Sequence, residues 1–314
     1  MQIVPVNKFI SPIPPVTKFE RFYRYPLMEI LVALLFLSPA ILTHNMLYIY
    51  VIEKLDGSII NYVKNAEYIV GFILFITFYR LYTKFVEKRE TYELGFKSSI
   101  SETGVGFLTG GGTAAIMVVL LAVLGYYRIE SFNENPQVLF NTFLARGMGS
   151  FVEEFFFRLI LFRMLEKLIG TWYGLITVSL VFGMLHYPNP NATLWTSTAI
   201  MLSDILLVGA FILTRRIWLV WGIHFGWNYV QNSIFGMANS GVQGMSNWIT
   251  PIIDGPEFVT GGDFGIEASP IAIAMHVAIG ILLLMLAIKR NQIVKPRWKK
   301  KPVQNGFDNL PASG

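Results

Sequence analysis

The chain contains no cysteine among its 314 residues. Disulfides, thiolate nucleophiles, iron–sulfur clusters and Cys-ligated zinc are therefore excluded, and cysteine usage says nothing about compartment. Charge is scarce as well: Asp, Glu, Lys and Arg make up 14% of the residues, against about 25% in a soluble domain of ordinary composition. There is no His-Glu-x-x-His, no Gly-x-Ser-x-Gly and no Walker loop, which removes several familiar hydrolase and nucleotide sites. Gly104-Val-Gly106 opens an apolar helix with no strand before it, so a nucleotide-binding turn is excluded there too. No internal repeat is evident.

What the chain has in quantity is apolar sequence, 54% of all residues. Several stretches reach about 18 residues, enough to cross a hydrocarbon core of about 30 Å at 1.5 Å per helical residue. The pattern predicts an all-α, polytopic membrane helical bundle of about eight transmembrane helices, near 27–51, 66–83, 104–126, 137–162, 171–187, 194–214, 217–237 and 270–288. The first begins too late for a cleaved secretory signal and reads as a retained helix.

The formal charge of +5 lies mostly in the loops, so it does not mark a nucleic-acid surface. With the amino terminus in the cytoplasm, that side holds 19 Lys and Arg: four before the first span, four between spans two and three, two after span four, two after span six and seven in the tail. Only Lys54, Lys64 and Arg128 fall opposite, while Arg80, Arg146 and Arg158 lie within spans. The positive-inside rule then places both termini in the cytoplasm, as an even number of spans requires. A multi-pass protein of the plasma (cell) membrane, surrounded by lipid, is expected.

The expected organisation is a cytoplasmic segment at 1–26, a transmembrane domain at 27–288 with a motif core at 137–236 and an outer loop at 238–269, and a basic cytoplasmic tail at 289–314. The outer loop has no Lys or Arg but six glycines, and reads as a solvated connection, with a lid or interfacial segment as the alternative. The stretch from Lys295 to Lys301, with Trp298 in it, suits a stop-transfer anchor or contact with anionic headgroups. Residues 306–314 are expected to be disordered. Gly110, Gly111 and Gly112 read as sites of close helix packing.

A charge near the middle of a spanning helix costs about 2.5 to 3.5 kcal/mol on insertion scales, so three within a turn and a half need a reason. Glu153, Glu154 and Arg158 are such a group. Glu154 and Arg158 form an i, i+4 pair with the acid on the amino-terminal side. Glu153, about 100° further round, is left free as a base or ligand. A buried ion-pair network holding two helices together is the plainer reading of the same residues, and Arg146, two turns earlier, is a candidate member of it.

Two histidines also lie in spans with a partner four residues away: His186 after Phe182, and His224 before Asn228. His44 and His276 read as isolated packing residues. Asp204 and Glu29 are similarly alone, each able to line a cavity. Ser150 reads as helix packing rather than a nucleophile. Residues of one site must share a depth. Glu153 is roughly 21 Å from Lys167 and His186 roughly 22 Å from Thr171, but His224 is only roughly 10 Å past Ile217. A seventh helix that begins below the membrane surface after the Arg215-Arg216 turn would remove this mismatch.

A glutamate, two imidazoles and an amide suffice to hydrolyse a peptide bond with water as nucleophile. Glu153 would be the general base, His186 would position the water, and His224 with Asn228 would donate to the oxyanion. Alternatively, Glu153, His186 and His224 supply three ligands of a catalytic zinc with a fourth position open. These residues do not choose between Zn2+ and a metal-free mechanism.

Glu153-Glu154-x-x-x-Arg158, then Phe182-x-x-x-His186, then His224-x-x-x-Asn228, on three separate spans, resembles the CAAX-processing and bacteriocin-processing intramembrane protease family. The resemblance covers roughly 137–236. It implies an endopeptidase in which Glu153 activates water with His186, His224 and Asn228 assist at the oxyanion, and Glu154 and Arg158 support the site. It also implies a peptide or protein substrate, prenylated or not, and leaves oligomeric state open. The competing readings are a non-catalytic membrane scaffold or immunity protein and, behind it, a proton-coupled transporter, which would more often show related halves with interrupted helices. On this assignment Glu154→Gln is expected to be milder than Glu153→Gln.

Overall fold

The structure, a computed structural model, describes residues 2–6, 17–50, 54, 59–244 and 246–299. The expected disorder at 306–314 and the side chain of His44 lie outside the described residues.

The chain runs through α1 (Lys18–Tyr23), α2 (Pro26–Tyr50), α3 (Ile59–Phe85), α4 (Ser99–Val123), β1 (Tyr127–Phe132) and α5 (Gln137–Glu154). A π-helical stretch, Phe155–Phe162, joins α5 to α6 (Arg163–Leu185). Then come α7 (Leu194–Thr214), α8 (Ile217–Asn228) with a π-helical end at Tyr229–Ile234, β2 (Ile249–Ile253), the short α9 (Glu257–Thr260) and α10 (Pro270–Lys289). Among the described residues six helices are long and apolar enough to cross a membrane, one of them the 49-residue run Gln137–Leu185. The protein is a polytopic integral membrane bundle of helices.

Two details separate six from the expected eight. The spans expected at 137–162 and 171–187 form one helical run that breaks at Gly170, where φ is +79° and ψ 172°. A Cβ at Gly170 would stand 2.7 Å from Pro296 N and 2.8 Å from Val294 O, so the chain can turn there against the tail only as glycine. The span expected at 217–237 is α-helical only as far as Asn228 and then widens into a π-helix, so its α-helix is too short to count.

The closest helix contact joins α4 to α8. A Cβ on Gly106 would lie 2.4 Å from Leu219 O, and one on Gly110 1.9 Å from Ile223 O. In return, a Cβ on Gly222 would meet Thr103 O at 2.3 Å and one on Gly226 would meet Phe107 O at 2.3 Å. Two small-x-x-x-small pairs thus let the backbones touch, which in lipid replaces the missing hydrophobic drive between helices. Of the three glycines expected to pack, Gly110 and Gly111 do, whereas nothing lies within 4 Å of a Cβ on Gly112. It points away from the contact.

At one end of the bundle the charges form a buried clamp. Glu87 accepts from Arg163 at 2.7 Å and from Lys167 at 3.0 Å, and Lys167 also reaches Glu29 at 2.7 Å. Glu29 is therefore a partner of Lys167 and not an isolated acid. Arg215 pairs with Glu166 at 2.5 Å and Arg216 with Glu102 at 2.8 Å. Both arginines are buried, so α8 starts inside the protein. The opposite end carries the only sheet among the described residues, β1 paired antiparallel with β2. It ties the segment before α5 to the segment expected to be a solvated outer loop. That expectation fails for much of 238–269: Ala238, Asn239, Thr260, Phe264, Ile266, Glu267 and Ala268 are all buried.

Gly110→Ala is expected to lower the thermal unfolding midpoint in detergent, by overpacking of about 1 to 3 kcal/mol, while Gly112→Ala leaves it unchanged or higher. The clamp also makes stability depend on pH. Burial opposes ionisation of Glu87, but Arg163, Lys167 and Arg89 outweigh it and hold the carboxyl well below its usual range. Glu93, likewise buried and held by Arg89, shifts the same way. Their contribution is complete above an unfolded carboxylate pKa of about 4.3 and is lost as pH falls through the lower folded values. The midpoint should be flat above pH of about 5 and fall below about 4. Glu87→Gln should be less stable at neutral pH and show a shallower acid limb.

Candidate functional site

Because Gly222 and Gly226 are turned onto α4, residues two positions further on, about 200° round the helix, face the opposite way. Those residues are His224 and Asn228, and they meet the end of α5. His224 Nδ1 lies 2.7 Å from Glu154 Oε1. Its Nε2 lies 3.9 Å from Glu153 Oε2, too far for a direct hydrogen bond. The imidazole therefore stands between the two glutamates, one nitrogen towards each.

Glu154 and Arg158 have fully buried side chains. Arg158 Nε donates to Glu154 Oε2 at 2.7 Å. The other end of its guanidinium donates to Asp204, through Nη1 at 3.2 Å and through Nη2. Asp204 also accepts from Ser179 Oγ at 2.8 Å. Asp204 is thus the second anion on Arg158 and not a lone acid. Beside this ion pair Glu154 is ionised and can only accept, so His224 Nδ1 carries the proton and donates it. Glu153 differs in environment: its side chain is 40% exposed.

The turn of α6 that ends in His186 is held by its own backbone. His186 Nδ1 donates to Phe182 O at 2.7 Å, which leaves Nε2 free. The Phe182 ring packs edge-on against His186 at 4.7 Å and against His224 at 6.2 Å between centroids. The Arg158 guanidinium lies 5.5 Å from the same ring. Phe182 is the spacer between both imidazoles and the buried cation.

A pocket of about 200 Å³ is lined by Arg146, Ser150, Glu153, His186, His224 and Asn228, together with residues of the connections at 189 and 239–242. On the far side of His224 a second cavity of about 60 Å³ lies among Phe182, Leu207, Trp227, Glu267 and His276. The structure thus brings together Glu153, His186, His224 and Asn228, with Glu154, Arg158 and Phe182 behind them.

Other expectations need correction. Arg146 bonds Asn232 Oδ1 at 2.5 Å and lines the pocket, separate from the Glu154–Arg158 pair. Ser150 is more than packing, since its Oγ accepts from Asn228 Nδ2 at 3.3 Å. His276 is not isolated, for its ring lies 4.3 Å from that of Trp227 and lines the inner cavity. Glu267 was unreadable as a site residue in a polar, glycine-rich segment. It accepts from Ser240 N at 2.9 Å and Ser240 Oγ at 2.8 Å, and Ser240 lines the pocket. Burial pushes its carboxyl up, against the Ser240 hydrogen bonds and the nearby His186.

The zinc option rested on Glu153, His186 and His224. Among the described residues no three His, Asp or Glu side chains are grouped closely enough to hold a metal ion, so a metalloprotease assignment finds no support in this donor geometry.

Residues 134–230 match the family model described as type II CAAX prenyl endopeptidase Rce1-like. Within that stretch the sequence is Rce1-like. All three motifs lie inside the matched stretch, and the likeness supports an intramembrane endopeptidase at the level of the family. No curated protein and no solved structure matches the chain.

The two glutamates of the matched stretch should separate in a stability measurement. Glu154→Ala removes one of the two anions on a fully buried arginine and should cost about 3 to 5 kcal/mol, read as a lower unfolding midpoint in detergent. Glu153→Ala, at a half-exposed position, should leave the midpoint within a degree or two of the wild type.

Proposed function

We propose that the protein is an intramembrane endopeptidase that hydrolyses a peptide bond with a water activated by Glu153. The observation that carries this reading is the placing of His224 between two carboxylates of different character, one buried and ion-paired, one open to the pocket. A structural ion pair would account for Glu154, Arg158 and Asp204. It gives no reason for a second, half-exposed carboxylate beside the free nitrogen of the same imidazole.

In this mechanism a water held near Glu153 and the free Nε2 of His186 attacks the scissile carbonyl carbon while Glu153 takes its proton. The oxyanion that forms accepts hydrogen bonds from Asn228 Nδ2 and from a protonated His224 Nε2. Glu154 supports that second proton on His224 by accepting from Nδ1. As the intermediate collapses, the C–N bond breaks and Glu153 passes its proton to the leaving amine. Glu154 is then a positioning residue and not a spectator, so the sequence-based ranking of Glu154→Gln as milder than Glu153→Gln weakens.

The test begins with substrate captured by co-purification with the Glu153→Ala variant and then offered to wild-type and variant proteins in detergent. Glu153→Gln and His224→Ala are expected to lose about 10²- to 10⁴-fold in turnover, the usual worth of a positioned acid or base, with unfolding midpoints near wild type for Glu153→Gln. Unchanged turnover in both variants would overturn the mechanism.

A further inference from the structure

The site is not equidistant from the two ends of the bundle. Glu153 precedes Lys167 by 14 residues, roughly 21 Å along a helix, and Lys167 belongs to the basic clamp with Glu29 and Glu87. In a hydrocarbon layer about 30 Å thick this leaves roughly 9 Å to the opposite boundary. Helix α6 reaches the same level from the same side and stops: Thr171 to His186 is 15 residues, roughly 22 Å, after which the chain turns towards α7. Helix α5 instead continues from Glu153 back to Gln137, roughly 24 Å further. The early end of α6 leaves a recess on the face that bears the β1–β2 sheet, with the candidate site at its floor.

The recess continues outward. A cavity of about 530 Å³ shares Ala145, Arg146 and Val242 with the pocket around Glu153. Its walls include Asn61, Asn65, Asn133, Asn135, Asn141 and Lys64, and no carboxylate. Asparagine amides both donate and accept, which suits the alternating N–H and C=O groups of an extended polypeptide; Asn65 already donates to Asn141 and Asn133 to Asn247 O, and Tyr68, Val138 and Val242 add apolar wall between the amides. The apolar cavity of about 300 Å³ beside Phe72, Phe143 and Trp221 adjoins this groove at Tyr68 and shares no residue with the pocket around Glu153.

The sheet-bearing face is also the one poor in Lys and Arg, holding Lys54, Lys64 and Arg128, while the clamp, the α3–α4 connection and the tail hold the great majority. By the positive-inside rule the recess faces away from the cytoplasm. We propose that the substrate is a polypeptide segment entering from the extracytoplasmic side through the asparagine-lined groove, and not a carboxyl terminus presented from the cytoplasm. The word substrate rests on the endopeptidase reading above; the direction of access does not.

The cysteine-free sequence makes the direction measurable without a background. Single variants of the full chain, Val242→Cys at the groove mouth, Glu130→Cys on the exposed strand β1 and Arg290→Cys past α10, are expressed in spheroplasts and treated with a membrane-impermeant maleimide before and after lysis. Val242→Cys and Glu130→Cys are expected to label fully in intact spheroplasts, and Arg290→Cys at least tenfold less until lysis. The reverse pattern overturns the orientation. Labelling of Glu130→Cys with none at Val242→Cys overturns the open groove. In a second arm, intact spheroplasts and purified protein receive a membrane-impermeant fluorogenic peptide mixture, with Glu153→Ala as control. Glu153-dependent cleavage by both supports the proposal, and cleavage by the purified protein alone overturns it. Cleavage by neither tells against the endopeptidase reading while the labelling result still decides the direction.

Discussion

Arg158 is a permanent cation with no access to solvent, and the half of the bundle that holds the candidate site is arranged around satisfying it. A buried guanidinium is tolerable only with its donors filled, and removing one partner leaves a charge that the surroundings cannot solvate. Glu154 fills one edge and Asp204 the other, so helices α5 and α7 are fixed relative to each other. Phe182, lying against the same guanidinium, adds α6. Glu154 then spends its second oxygen on His224, which adds α8. Four helices thus take their positions from one side chain, and Glu153 is the member of the group left with an unassigned carboxylate facing the pocket.

The glycine contact between α4 and α8 works to the same end from outside. His224 can reach Glu154 only if α8 is rotated so that Gly222 and Gly226 face away from it. The backbone approach at Gly106 and Gly110 makes any other rotation sterically expensive. Specificity of orientation, which lipid cannot provide through hydrophobicity, comes here from a lack of side chains on one face and a filled set of hydrogen bonds on the other.

Much of this was legible in the sequence because lipid makes charge conspicuous. Glu153, Glu154, Arg158, His186 and His224 stand out in runs of apolar residues, and helical spacing alone paired Glu154 with Arg158. Spacing could not show that His224 would take the other oxygen of Glu154, nor that Asp204, 46 residues beyond Arg158, was its second anion, because both are contacts between helices. The solvated reading of 238–269 failed for a different reason. Glycine and polar residues mark turns and solvated loops equally well, and the burial of Glu267 depends on Ser240 and Trp227, which no local pattern connects to it. The span count differed where helices bend or widen, at Gly170 and after Asn228, since hydropathy measures length of apolar sequence and not continuity of one helical geometry.

The π-helical stretch from Phe155 to Phe162 gives the long run 137–185 a further property. A π-helix closes its hydrogen bonds one residue later than an α-helix, so side chains beyond it fall out of step with those before it. Glu153 and Glu154 lie on one side of that offset, Arg163 and Lys167 on the other. The stretch works as a gear between the two ends of the molecule, setting the angle at which the residues of the pocket and the residues of the clamp leave a common axle. A one-residue deletion there would leave both ends chemically intact and turn one against the other, so that the pocket and the clamp could not both find their partners.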